Sequence, residues 1–201
     1  MTLVSDSVKE NRDYLVQLDA AIGDGDHGIN MTRGFAAVVL ALEAEGEAPP
    51  GRLLIVAGKT LVSAVGGASG PLWGTALRRA GRSLGEAETF DTIQLSAALD
   101  AALAGIVDLG AAVPGDKTMV DALTPAADTL REQAKAGVPA VDAVRAAALA
   151  AEVGRDATEP LQARKGRASY LGERSVGHID PGSVSAALVV RALERAVARE
   201  G

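Results

Sequence analysis

Three carboxylates and a histidine, Asp19, Asp24, Asp26 and His27, lie within nine residues of otherwise small or apolar side chains. A turn in this glycine-containing stretch brings the carboxylates to a common centre, where they repel one another unless a cation holds them. Hard oxygen ligands suit Mg²⁺, which keeps several waters and takes further ligands from substrate phosphates. The stretch therefore predicts a magnesium site. The alternative is a plain connection whose aspartates cap a helix or form Asx turns.

Calcium in an EF-hand is excluded by spacing. The bidentate glutamate expected at the twelfth position of such a loop falls on Phe35 when counting starts at Asp24, and on Asn30 when it starts at Asp19. The acidic stretch is not an EF-hand.

Two further stretches are rich in small residues and open a predicted helix. In 65–71, small side chains let backbone N–H groups approach a phosphate, and Ser69 adds a hydroxyl. The stretch 110–118 is nearly a P-loop, but Asp116 precedes the Lys-Thr pair and the preceding segment is predicted as a helix rather than a strand. We expect Thr118 and Met119 to face a ligand there. For Lys117, a role at the site and simple solvation both stay open.

The segment 161–182 carries the basic cluster that the acidic chain otherwise lacks. The planar fork of arginine binds phosphate oxygens bidentately, and Asp180 before Pro181 predicts a helix N-cap. Its tyrosine, leucine, valine and isoleucine residues indicate that the segment packs rather than remaining a solvated tail. Phosphate binding is the favoured interpretation.

Composition restricts the classes of protein. The chain has 201 residues, of which 48% are hydrophobic but only 2% aromatic, so one domain (1–201) with an Ala, Leu and Val core between close helices is expected. A net charge of −6 argues against nucleic acid or an anionic membrane as partner. Cysteine is absent, which excludes thiol catalysis. No stretch approaches the length of an apolar membrane span, so a soluble cytoplasmic protein is expected.

Apolar residues recur at helical spacing along the whole chain, and no strand alternation is present. The predicted fold is therefore all-α, a single-domain antiparallel up-and-down bundle of eight helices. The predicted helices are 2–18, 30–46, 51–65, 71–84, 91–108, 117–136, 139–156 and 182–199.

Alternate connections of such a bundle fall at the same end. The four unusual loops, 19–29, 66–70, 109–116 and 157–181, follow the first, third, fifth and seventh predicted helices. All the candidate chemistry is therefore expected at one rim.

Together these motifs resemble one family, the nucleotide-binding L subunit of dihydroxyacetone kinase. The resemblance covers essentially the whole chain and is carried by four motifs in order: Asp-(x)4-Asp-Gly-Asp-His-Gly-Ile-Asn-Met from Asp19, Gly-Gly-Ala-Ser-Gly-Pro-Leu from Gly66, Pro-Gly-Asp-Lys-Thr-Met from Pro114, and Gly-Arg-Ala-Ser-Tyr from Gly166 through Asp180-Pro181-Gly182.

The resemblance implies an eight-helix barrel that binds ADP or ATP at one end through two Mg²⁺ ions. By motif match the metal ligands are Asp19, Asp24 and Asp26. The implied catalytic residues are Arg167 and His27. The residues implied to surround the nucleotide are His27, Gly28, Ile29, Asn30, Gly67, Ala68, Ser69, Gly110, Thr118, Met119, Arg167, Asp180, Pro181 and Gly182.

The family has two branches, which differ in phosphoryl source. One uses ATP directly. The other keeps ADP as a captive cofactor, recharged by the phosphohistidine carrier of a phosphotransferase system (the M subunit), and passes the phosphoryl group to dihydroxyacetone on a separate K subunit. The stretch 171–178 resembles the second branch, of which a free-standing chain is also typical. The implied role is in glycerol and triose metabolism.

Three alternatives stay open. The chain is also compatible with an ATP-dependent kinase subunit for dihydroxyacetone, a four-carbon sugar or a fatty acid. It is also compatible with a non-catalytic helical module that only binds a divalent ion. In a third alternative, His27 itself carries the phosphoryl group.

Overall fold

The structure is a computed structural model and describes residues 1–200. This part of the chain forms nine α-helices and one 3-10 helix, without a β-strand. The α-helices are α1 (Thr2–Glu10), α2 (Arg12–Ile22), α3 (His27–Glu45), α4 (Pro50–Ala64), α5 (Ser69–Leu84), α6 (Thr92–Gly110), α7 (Met119–Lys135), α8 (Ala140–Asp156) and α9 (Pro181–Glu200), and the 3-10 helix is Arg167–Ser175. The predicted all-α fold is confirmed.

The helices form a closed ring. From α3 to α9 each helix packs against the next along the chain, and α9 returns to contact α1 and α2, which both pack on α3. From α3 to α8 short connections make successive helices antiparallel, and the longer segment between α8 and α9 returns the chain to the same rim, so that α3, α5, α7 and α9 all begin at the same end of the barrel.

The first predicted helix, 2–18, is wrong as a single element. The chain bends at Asn11, where α1 ends and α2 begins, and α2 continues to Ile22. The side-chain amide of Asn11 donates to the carbonyl oxygen of Ser7 at 2.8 Å. Such local bonds from asparagine compete with helix continuation, whereas the apolar spacing passes through the bend unchanged.

The core is built mainly from alanine, leucine and valine, as the composition predicts. Close packing is clearest between α4 and α5, where a Cβ on Gly58 would lie 2.6 Å from the carbonyl oxygen of Gly74. Two of the few aromatic residues, Phe35 and Trp73, meet edge to face with ring centroids 6.4 Å apart. At the end of the barrel opposite the four helix starts, apolar side chains line a partly open cavity of about 370 Å³.

The expectation that no segment approaches the length and apolar character of a membrane span does not hold for helix α6. Within the described residues it is the one helix that is long and apolar enough to cross a membrane by length and composition. Core helices of helical bundles pass the same test. Helix α6 packs between α5 and α7, and 33% of its apolar window is buried, Ile106 and Ala98 included.

Candidate functional site

Four helix N-termini meet around a cleft of about 350 Å³ at one rim of the barrel. These are the starts of α3, α5, α7 and α9, so their unpaired N–H groups and helix dipoles give the cleft a positive potential suited to an anion. The predicted placement of the four unusual loops at one rim is confirmed, since each contributes residues to this cleft.

The acidic turn between α2 and α3 forms one wall of the cleft. One oxygen each of Asp19, Asp24 and Asp26 lies within 4.8 Å of the others. Ligands on opposite sides of one Mg²⁺ are about 4.2 Å apart at bonds of about 2.1 Å, so a small contraction fits the three carboxylates to a single ion. The donor set, carboxylate oxygens only, suits Mg²⁺.

The turn is held by one of its own carboxylates. Oδ2 of Asp19 accepts hydrogen bonds from the backbone N–H groups of Asp26 and His27, at 2.8 and 3.0 Å. Gly25 has φ +74°, which a side chain would disfavour. Asp19 therefore positions the other two carboxylates while its Oδ1 makes no hydrogen bond in this turn.

His27 is buried between two serine hydroxyls. Its Nε2 lies 3.0 Å from Oγ of Ser185 on α9, and its Nδ1 lies 3.2 Å from Oγ of Ser69 on α5. Ser185 donates its own proton to the carbonyl oxygen of Gly182, so the network assigns the Nε2–H tautomer, which donates to Ser185 and accepts from Ser69. Burial lowers the pKa of His27, and Asp19, Asp26 and a hydrogen bond with the backbone of Pro181 oppose this shift.

The start of α5 presents backbone rather than side-chain donors. Gly67 has φ +66°, and Ala68 at the N-cap provides no side-chain hydrogen bond to the helix. The hydroxyl proton of Ser69 is directed to His27. Backbone N–H groups are therefore what this loop offers a ligand.

The start of α7 is rigid. Oγ1 of Thr118 accepts from the N–H of Val120 at 3.1 Å, and Oδ2 of Asp121 accepts from the N–H of Thr118 at 2.7 Å, which completes a capping box. Lys117 is buried rather than solvated, with 1% of its surface exposed.

Asp180 caps α9 as predicted, since its Oδ2 accepts from the N–H of Ser183 at 2.6 Å. Its carboxyl is buried, and desolvation raises its pKa to about 7. The Ser183 N–H and Lys117 oppose this shift, whereas Asp121 and Asp19 add to it.

The basic segment folds over the cleft, in agreement with the predicted packing of its apolar residues. It contains the 3-10 helix Arg167–Ser175, with Lys165, Gly166, Arg167 and Ala168 lining the cleft. Nη2 of Arg167 lies 3.0 Å from Oδ2 of Asp24, so arginine and metal-ligand candidate face each other.

The structure brings most of the predicted site residues together. Three do not line the cleft: Gly28 packs against α2, Ile29 is 43% exposed, and Asn30 accepts a hydrogen bond from Arg33. Their contact with a nucleotide stays a prediction. The predicted residues that do line the cleft are Asp19, Asp24, Asp26, His27, Gly67, Ala68, Ser69, Gly110, Thr118, Met119, Arg167, Asp180, Pro181 and Gly182.

Sequence reasoning missed several residues of the site. Ser185 orients His27 from α9, and its signal was a pair of hydroxyls, Ser183 and Ser185, in the otherwise apolar first half of that helix. Leu72 and Ile106 give the cleft an apolar wall. Leu72 ends the motif that begins at Gly66, but neither residue was predicted to line the site, because both look like ordinary core residues.

Comparisons with known proteins place the chain in a family. The DAK2 domain matches residues 21–195. The chain is 42% identical over 193 residues to the PEP-dependent dihydroxyacetone kinase, ADP-binding subunit DhaL of Escherichia coli, covering 96% of this chain and 92% of that protein. It is 44% identical over 186 residues to the corresponding subunit of dihydroxyacetone kinase 1 from Listeria innocua, covering 92% and 88%.

A solved structure agrees with these relatives. The dihydroxyacetone kinase from C. freundii in complex with AMP-PNP and Mg²⁺ superposes with a TM-score of 0.73 at 28% identity. The match covers 96% of this chain but only 32% of that one, so the chain spans about a third of the C. freundii kinase. By the domain match and by identity to the curated subunits, the chain belongs to the DAK2 domain family.

Proposed function

We propose that this chain is the nucleotide-binding subunit of a dihydroxyacetone kinase. In this proposal it holds ADP at the cleft, receives a phosphoryl group from a phosphohistidine carrier, and delivers it to dihydroxyacetone on a separate substrate-binding subunit. The observation that carries the proposal is the convergence of four helix N-termini around a cleft with a carboxylate trio on one wall. This combination of donors and metal ligands suits a magnesium diphosphate.

Asp19, Asp24 and Asp26 would hold Mg²⁺, which when bound offsets charge on the phosphates. We propose two Mg²⁺ ions. One oxygen of each carboxylate lies within 4.8 Å of the others, and the second oxygen of each carboxylate is a further ligand for another ion. The starts of α5 and α7 would donate N–H groups to the phosphates, and the apolar wall of Leu72 and Ile106 fits a nucleobase. Catalysis of this kind is positioning and electrostatics.

The position of His27 favours this function over the alternative in which His27 itself carries the phosphoryl group. Both ring nitrogens already bond to serine hydroxyls, and the ring is buried. Phosphorylation of either nitrogen would displace Ser69 or Ser185. We infer that His27 joins the starts of α3, α5 and α9 and thereby positions the α5 loop.

The names of the E. coli and L. innocua relatives support the proposed phosphoryl donor and the proposed partner subunit. Both are ADP-binding subunits of PEP-dependent kinases. These names favour a cycle fed by a phosphohistidine carrier over direct use of ATP. They also favour a separate subunit that binds dihydroxyacetone. We further propose a cytoplasmic location.

Nucleotide exchange tests the proposal. The purified chain is loaded with Mg²⁺ and labelled ADP, and mixed with a phosphorylated histidine carrier, a dihydroxyacetone-binding subunit and dihydroxyacetone. We expect many turnovers with retention of the label, because two metal ions and four loops must all release the diphosphate before it leaves, and tight binding is expressed mainly as a slow off-rate.

The control replaces the carrier with free ATP. Multiple turnovers on ATP alone, with loss of label in each cycle, would place the chain in the ATP-dependent branch. Turnover with a four-carbon ketose and not with dihydroxyacetone would contradict the proposal that dihydroxyacetone is the phosphoryl acceptor. Absence of any Mg-dependent ADP binding would leave a divalent-ion module as the function.

A further inference from the structure

The ammonium group of Lys117 lies among four backbone carbonyl oxygens. Nζ donates to Thr158 at 2.9 Å and to Leu161 at 3.0 Å, and the carbonyl oxygens of Glu159, at 3.4 Å, and His178 complete the set. An ammonium has three protons, so four acceptors satisfy it completely. Among the described residues Lys117 is the one buried lysine.

The charge of Lys117 is balanced by dipoles rather than by a direct ion pair. Among the described residues no carboxylate lies within 4.0 Å of Nζ, and a buried ammonium is costly unless it is fully hydrogen-bonded. Carbonyl cages of this kind stabilise monovalent cations in other proteins. Desolvation lowers the pKa of Lys117, and Asp180 and Glu159 oppose it.

The four acceptors lie at both ends of the segment that folds over the cleft. Three belong to 158–161, directly after α8, and the fourth belongs to His178, just before α9. The ammonium therefore closes this segment at its base, with Arg167 on the part between. Two backbone bonds reinforce the closure, from Arg164 N to Asp116 O at 3.0 Å and from Gly177 N to Glu159 O at 2.9 Å.

The backbone of Lys117 is as constrained as its side chain. It has φ +64°, a left-handed conformation that is uncommon for a residue with a Cβ. It directly precedes Thr118, the N-cap of α7 in the cleft. One residue thus joins the α7 start to the base of the arginine segment.

We propose that Lys117 is a positioning residue of the phosphoryl-transfer site, which fixes the segment carrying Arg167 against the start of α7. The proposal rests on the proposed function, because Arg167 and the α7 start are both assigned to the phosphates. Lys117 lines the cleft, but its ammonium group is held by the four carbonyl oxygens. In this proposal it acts through the segment that it closes.

Lys117→Ala removes the ammonium and leaves the carbonyl cage, and Lys59→Ala, at an exposed position of α4, is the matched control. We expect Lys117→Ala to lower the transfer rate by about 100-fold, the effect of misplacing a catalytic group by about 1 Å. Hydrogen exchange should become faster in 162–178 and stay unchanged in the core helices. Lys59→Ala should change neither quantity.

Chemical rescue separates positioning from general stabilisation. Ammonium chloride should restore part of the transfer rate of Lys117→Ala, because the ion fits the four-carbonyl cage, whereas tetramethylammonium chloride at the same ionic strength should not. An unchanged rate in Lys117→Ala would overturn the proposal. So would a loss that ammonium does not restore, or faster exchange throughout the barrel.

If Lys117→Ala does not fold, the wild-type protein still provides a test. The Nζ protons of Lys117 should exchange with water far more slowly than those of Lys59 in ¹⁵N spectra, and equal rates would overturn the proposal. Failure of the proposed function is distinguishable, because the wild-type protein would then bind no Mg-ADP and transfer no phosphoryl group under any of these conditions.

Discussion

Nη2 of Arg167 lies 3.0 Å from Oδ2 of Asp24, so the basic segment before α9 and the acidic turn before α3 meet across the cleft. Both side chains are exposed, at 71% and 36%, and an ion pair of this kind adds little to stability. Its importance is positional. It brings the phosphate-binding candidate and a metal-ligand candidate to the same point, although they are far apart in sequence.

Arg167→Lys keeps the charge but loses the planar fork. We expect the rate of phosphoryl transfer to fall by about tenfold or more, since a hydrogen bond to a charged group contributes roughly 1.5–3 kcal/mol. The measurement is the steady-state rate with the carrier and the dihydroxyacetone-binding subunit. Arg164→Lys, on the same segment but outside the cleft, is the control. Equal rates for the two variants would contradict the assignment of Arg167 to the phosphates.

Asp24→Asn removes a charged metal ligand with little change in size. We expect Mg-dependent ADP affinity, measured by calorimetry, to fall by at least the roughly 10- to 100-fold that weakening a metal site produces. Circular dichroism should show the same helical content as the wild-type protein. Asp6→Asn, an exposed aspartate on α1, should bind as the wild type does.

Ligand removal gives a second measurement on the same site. A ligand that binds only the folded state stabilises it, so stripping Mg²⁺ and ADP should lower the melting temperature of the wild-type protein. Asp24→Asn should show a much smaller difference between its stripped and loaded forms. An equal difference in both proteins would contradict the metal assignment.

The one-rim arrangement was predictable because it follows from connectivity. In an antiparallel bundle, loops after alternate helices must share an end, so an error in helix bounds does not affect it. The split at Asn11 could not be read in the same way, because it depends on a local side-chain bond that leaves the apolar spacing intact.

The role of Lys117 was not predictable from sequence for a different reason. Its partners are backbone carbonyls 41 to 61 residues away, and a carbonyl carries no residue-specific signal. The 3-10 helix Arg167–Ser175 was likewise predicted only as packed loop, since Gly172, at φ 57°, interrupts any helical periodicity. Residue types identified the chemistry, whereas the tertiary contacts that position it came from the fold.

A substitution at Gly28 distinguishes a role of this residue in helix packing from a role in nucleotide binding. A Cβ at Gly28 would lie 2.2 Å from the carbonyl oxygen of Arg12 and 3.0 Å from Cγ2 of Val16, so Gly28→Ala must push α3 away from α2. We expect a loss of roughly 1–3 kcal/mol in the free energy of unfolding, as in other overpacked contacts. Urea denaturation without ligand measures it.

Gly110→Ala is the comparison variant, since its nearest contact would be Cδ2 of Leu72 at 3.3 Å. It lines the cleft, and we expect it to retain nearly the wild-type stability. If Gly28→Ala keeps wild-type stability but loses ADP affinity, Gly28 acts on the nucleotide as the family resemblance implies, and the packing argument is wrong.

Asp180 should make the stability of the ligand-free protein depend on pH. Burial raises its pKa from 3.8 to about 7, so between about pH 4 and pH 7 the native state binds one more proton than the unfolded state. The stabilisation from this group is complete below pH 4 and is lost as the pH rises through 7, so the free energy of unfolding should fall over that window. Urea denaturation in EDTA at several pH values measures the slope.

Asp180→Asn keeps an acceptor for the Ser183 N–H and cannot ionise, so its slope should be smaller, whereas Asp6→Asn should keep the wild-type slope. Parallel curves for the wild-type protein and Asp180→Asn would show that Asp180 is ionised throughout, held by Lys117 and the start of α9.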